Sequence, residues 1–99
     1  MYKLYLKPQA ELDLEMIYKS GYEKWGIGQA EKYQDELFEG MELILENIEL
    51  GAEYLYGTRS YRKLHLNRHL IFYRIDKMKC VVVRIFHDSM DIKSRMDSE

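Results

Sequence analysis

Ninety-nine residues, 17 acidic and 15 basic side chains among them, allow one domain with one core, since a chain of that size buries roughly 60–70% of its unfolded surface. At 46% apolar and 13% aromatic the chain is too hydrophobic to stay disordered, yet its longest apolar runs, Leu70–Tyr73 and Cys80–Val83, are too short for a membrane span or a secretory leader. Cys80 stands alone and can form no intramolecular disulfide, and the three His show no metal-ligand spacing, so the expectation is a cytoplasmic domain without metal or cofactor.

Residues 2–7 alternate weakly and predict a short strand with Leu4 and Leu6 on one side. Pro8 suits a first helical turn, where its missing N–H costs nothing. Leu14, Ile17, Tyr18, Gly21, Tyr22 and Trp25 then recur at three- and four-residue steps and predict a helix over about 9–25. Gly26 and Gly28 bracket a break. Ala30, Tyr33, Leu37, Met41, Ile44 and Ile48 form a cleaner stripe and predict a second helix over about 28–48. Gly40 inside it costs about 1 kcal/mol relative to Ala, tolerable in a helix of that length. Gly51 and Gly57 mark a connecting loop.

Beyond that loop the period changes to two. Strands are expected over about 61–66, 69–76 and 79–87, with Asp76-Lys77-Met78 as the last turn. A three-residue turn there puts Ile71, Tyr73, Ile75, Val81, Val83 and Ile85 on one face, toward the helices. Leu70, Phe72, Arg74, Val82, Arg84 and Phe86 then share the other. A turn one residue shorter would mix these sets, because a slip of one flips every side chain. The reverse face so drawn interleaves arginines with large apolar groups and reads as a binding surface. The tail from Ile92 is expected to be loosely held. The fold class is α+β: one domain over 1–99, β-α-α-β-β-β, with an N-terminal helical hairpin on one face of a mainly antiparallel sheet.

Charge is polarised along the chain. Residues 1–50 carry five basic against eleven acidic side chains, a net of −6, and residues 51–99 carry ten against six, a net of +4. Either one surface is shaped for an anionic partner or two solvated faces pair with each other.

Several segments match a known family. Ala10-Glu11-Leu12-Asp13-Leu14 opens the first helix, Trp25-Gly26 closes it, and Gln29-Ala30-Glu31-Lys32-Tyr33 opens the second. Tyr61-Arg62-Lys63, then His69-Leu70-Ile71-Phe72-Tyr73-Arg74, then Arg84-Ile85-Phe86-His87 with Met90-Asp91 complete the series. In this order the chain resembles the ParE branch of the RelE/ParE toxins of type II toxin–antitoxin pairs. Lys7, where a capping Ser is common, and Phe86, where Leu is usual, depart from the pattern. The resemblance implies a toxin that binds and inhibits DNA gyrase. It also implies neutralisation by a ParD-like antitoxin within a hetero-oligomer such as a heterotetramer, with operator DNA bound by the antitoxin and not by this chain alone.

Two other readings stay open. A ribosome-dependent messenger-RNA endonuclease of RelE type needs a base, a cation on the phosphorane and an acid, for which Arg62 and Arg84 are the candidate cations and His87 or His69 the candidate proton carriers. Against it, the RelE-type basic positions fall here on Arg62, Leu64, Leu70 and Met90, and only the first is basic. The third reading is a non-toxic, antitoxin-binding operon regulator. The expected contact residues for antitoxin or target are Arg62, Arg74, Arg84, Leu70, Phe72 and Phe86, the arginines because a planar guanidinium pairs bidentately with carboxylate or phosphate. Structural roles are expected for Asp13 (helix N-terminus or an ion pair), Trp25 (core edge), His69 (strand end), and His87 with Asp91 (ordering the turn after the last strand). His65 is expected to be exposed.

Overall fold

The structure, a computed structural model, describes residues 1–96. It runs β1 (Lys3–Leu6), α1 (Pro8–Trp25), α2 (Ile27–Glu46), β2 (Ala52–Tyr56), β3 (Arg59–Leu66), β4 (His69–Asp76), β5 (Lys79–His87) and α3 (Ile92–Met96). The α+β class is as expected: two helices pack on one face of a five-stranded mixed sheet ordered β1-β5-β4-β3-β2. β1 lies parallel to β5, and the other neighbours pair antiparallel.

Pro8 takes the first helical position of α1, after an extended Lys7. The helix ends where Gly26 adopts φ +91°, a conformation that a side chain resists. Gly28, expected to share that break, already lies in the first turn of α2. The predicted stripe of α2 faces inward, and that of α1 does so as far as Gly21, beyond which Tyr22 and Trp25 are exposed. Ala10 and Leu14 of α1 and Leu37, Met41 and Ile44 of α2 meet Ile71, Tyr73, Cys80, Val82 and Ile85 of the sheet in one buried cluster.

Three expectations are corrected. The stretch between Gly51 and Gly57 is not a loop but holds β2, an edge strand paired with β3 from Ala52 opposite Lys63 to Tyr56 opposite Arg59. Five residues are too few to display a period, and the outward Leu55, 69% exposed, blurs the polarity pattern further.

The β4–β5 register also differs. Asp76 faces Lys79, so the turn has two residues, with Lys77 at φ +57°. Cys80 and Val82 therefore point to the helices, and Val81 and Val83 to the reverse. An irregularity opposite Phe72 and Tyr73 leaves Val83 as an extra residue, which restores the expected phase at Ile85.

Finally, the reverse face is a second core rather than an open surface. Tyr61, Phe72, Val81, Val83 and Phe86 cluster there, and α3 closes over them with Ile92 and a buried Met96. The tail expected to be loose thus covers apolar surface that water would otherwise meet. Residues 97–99 of that tail lie outside the described residues.

Candidate partner-binding cleft

β1 ends at Leu6 opposite Val82, which leaves the edge of β5 beyond Val82 without a strand partner. The chain returns there through α1, and Asp13 fills the gap. Its carboxylate accepts the Ile85 N–H at 2.9 Å and a bidentate pair from Arg84, Nε at 2.8 Å and the terminal nitrogen at 3.0 Å. The two side chains are only 12% and 14% exposed. The Arg84 guanidinium also lies 4.6 Å from the Phe86 ring centre. An arginine expected to reach a partner is held inside the protein, on an aspartate that does the work of a missing strand.

Next to this pair opens a cleft of about 970 Å³. Asp13, Met16, Ile17, Lys24 and Trp25 of α1 form one wall, and Ala30, Tyr33 and Glu36 of α2 another. The β3–β4 turn brings Asn67 and Arg68, and the strand ends bring His69, Ile85 and His87, with Ser89 and Met90 beyond. Its rim is apolar and exposed: Trp25 68%, Met16 65% and Met90 40%.

The polar floor is wired together. The Tyr33 hydroxyl shares a hydrogen bond with His69 Nδ1 at 2.5 Å and accepts the Arg68 N–H at 3.4 Å. Burial holds His69 down to about 4, with the neighbouring His87 pushing the same way and Asp88 opposing. It is therefore neutral at pH 7. Burial likewise raises the Tyr33 phenol above its ordinary value. His87 stacks edge-on to His69 at 5.2 Å, and its Nδ1 accepts from the Ser89 hydroxyl at 2.7 Å and the Ser89 N–H at 3.2 Å. The His69 and His87 rings thus stand together beside the Lys24 and Arg68 cations. The site suits a ligand with apolar groups and a few acceptors.

The remaining site residues scatter. Arg62 faces the helix side, where it donates to the Gly51 carbonyl at 2.8 Å and the Glu49 carbonyl at 3.3 Å and ties down the loop after α2. Phe72 and Phe86 are core residues, at 0% and 1% exposure, and cannot meet a partner. Leu70 is half-buried at the edge of the second cluster, and Arg74 is half-exposed on the same face. Trp25 is no core plug: Gly26 turns the chain immediately after it and leaves the ring on the cleft rim, 5.8 Å from Lys24 Nζ. Asp91 does not meet His87; its carboxylate accepts the Ser94 N–H at 3.4 Å, at the start of α3. His65 is exposed and pairs with Asp88 at 3.1 Å. Sequence reasoning missed Met16, Tyr33 and Arg68. Met16 is an apolar residue off the α1 stripe, and that was its available signal.

The architecture defines the class first, a small α+β fold shared with solved proteins. It superposes on a chain of the chromosomal ParDE system from P. aeruginosa with TM-score 0.76 and 21% identity, covering 88% of this chain and 96% of that one. It also matches YafQ from E. coli with TM-score 0.62 and 14% identity, over 90% and 96% of the two chains. The family follows from sequence. The model of the ParE toxin of the type II toxin–antitoxin system parDE matches residues 4–92. Toxin ParE1 of Mycobacterium tuberculosis is 35% identical over 88 residues, 88% of this chain and 90% of that protein. Toxin ParE1 of Caulobacter vibrioides is 29% identical over 91 residues, 92% and 94% of the two. This chain belongs to the ParE toxin family.

Proposed function

We propose that this chain is a toxin that binds and inhibits DNA gyrase in the cytoplasm without catalysing a reaction, and that a ParD-like antitoxin neutralises it within a hetero-oligomer such as a heterotetramer. The observation that carries the non-catalytic reading is the separation of the nuclease candidates. Arg62 and Arg84 lie on strands two apart and are spent on backbone carbonyls and on Asp13 respectively. His87 directs its Nδ1 at Ser89. No cation stands ready beside a proton carrier among these three.

The cleft is the antitoxin's seat. Met16, Trp25 and Met90 on its rim suit the apolar side of an amphipathic segment, and Lys24 and Arg68 suit carboxylates on its flank. The RelE-type alternative has one feature in its favour, the approach of Tyr33, His69, His87 and Arg68 around one cleft. Two assays on the purified chain separate the readings. Inhibition of gyrase supercoiling, relieved by the antitoxin, with transcripts left intact on ribosomes, is the expected result. Cleaved transcripts with uninhibited gyrase would overturn it.

A further inference from the structure

The helix side of β1 carries Leu4 and Leu6, so Lys3 and Tyr5 stand on the reverse, where Tyr5 is 53% exposed. By the same alternation Lys79 shares the side of Val81, Arg74 and Asp76 that of Phe72, and Arg59 and Lys63 that of Tyr61, while Tyr54 and Tyr56 edge that cluster from β2. Lys3 sits directly opposite Lys79, and Val81 lies between Tyr5 and Arg74. Lys63 Nζ lies 5.2 Å from the Tyr54 ring. Among the described strand residues, five cations and one carboxylate, Asp76, thus share this face with three solvent-touching tyrosines. Arg59 is engaged within the protein, so Lys3, Lys63, Arg74 and Lys79 carry the argument.

Like charges opposite each other on neighbouring strands, about 4.8 Å apart, repel, and a bound polyanion relieves that cost. An acidic peptide would meet the cations, but it could use the rings only through apolar side chains set among its carboxylates. A nucleic acid uses both, through phosphates and bases, and only an unpaired strand exposes base faces to stack. We propose that this half of the reverse face binds single-stranded DNA. The choice of DNA over RNA rests on the gyrase reading; the binding chemistry does not.

The test uses the full chain and a labelled mixed-sequence oligonucleotide, read by fluorescence anisotropy from 50 to 200 mM salt. Four phosphate contacts on a single strand give a log–log slope of about −2.8 and a loss of about 50-fold over that range. Lys3→Glu with Lys79→Glu should halve the slope. Tyr5→Ala should weaken binding at least about five-fold, with Tyr5→Phe close to the parent. Lys19→Glu, exposed on α1, should change neither. Circular dichroism melts confirm that each variant is folded. Binding that the double Glu variant leaves unchanged, equal affinity for the duplex, a preference for the RNA strand, or displacement by an acidic peptide of equal charge would each overturn the proposal. Gyrase is absent from this assay, so uninhibited supercoiling with intact DNA binding would count against the target alone.

Discussion

Asp13→Ala is the most informative substitution. It leaves the Arg84 guanidinium, 12% exposed, without a counter-charge and the Ile85 N–H without an acceptor. Breaking a buried pair costs about 3–5 kcal/mol and orphaning a buried N–H about 1–3. Both carboxylate and guanidinium keep some contact with water, which brings the expected total to about 3 kcal/mol. For a domain of this size that is a fall in Tm of about 12–24 °C. Asp13→Asn keeps an oxygen for Ile85 and should lose roughly half as much. Urea unfolding followed by far-ultraviolet circular dichroism is the assay, since the exposed Trp25 is a poor reporter. A double-mutant cycle of Asp13→Asn with Arg84→Met should return a coupling of about 1–3 kcal/mol. Additive losses, or Asp13→Ala within about 0.5 kcal/mol of the parent, would refute the role of Asp13 at the β5 edge. At temperatures where it stays folded, Arg84→Ala should bind antitoxin as the parent does.

Trp25→Ala should change stability by less than about 0.5 kcal/mol, because the ring is 68% exposed, yet lower antitoxin affinity at least ten-fold in calorimetric titration. His69 binds its proton near 6.5 when unfolded but only near 4 when folded. Between those values the unfolded state holds more protons, so stability rises with pH and is lost as pH falls through this window. Unfolding free energies from urea titrations at pH 4.5 and 7 should differ by about 1–3 kcal/mol more for the parent than for His69→Gln, after allowance for the ring's partial contact with water. Gly51→Ala should cost at least about 2 kcal/mol in the same assay, since a Cβ would sit 2.8 Å from the Tyr73 ring and hydroxyl and 3.0 Å from the Lys63 backbone. Tyr73 cannot yield, because its hydroxyl accepts the Gly51 N–H and donates to the Ile48 carbonyl, each at 2.8 Å. Cys80 is fully buried and its thiol is pushed up to about 11, so iodoacetamide at pH 8 should modify it only after unfolding.

The helical hairpin was legible because Ala30, Leu37, Met41 and Ile44 repeat at the period of the structure they form, and nothing distant alters that period. The sheet was legible in existence but not in phase. Val83 decided which residues of β5 face inward, and a single extra residue in a strand leaves no trace in a pattern of continuous valines. The arginines misled for a related reason. Arg62 and Arg84 have the composition of a contact surface, but their partners lie 11 and 71 residues away in the chain, on elements whose approach only the fold determines. The cleft was hidden in the same way, since it is assembled from both helices, one turn and two strand ends. Tyr33 was visible as part of a stripe and invisible as the partner of His69.

Pairing the first strand with the last has a consequence for synthesis. Lys3 waits for Lys79, Lys7 for Val82, and Asp13 for Arg84. At about 5–20 residues per second, the ribosome needs on the order of 4–14 s to carry the chain from Asp13 to Arg84. During that interval the two acidic helices exist without the strands that cover them, and no shortened product ending before β5 can complete the fold. A toxin built this way gains its folded surface only once β5 has been made.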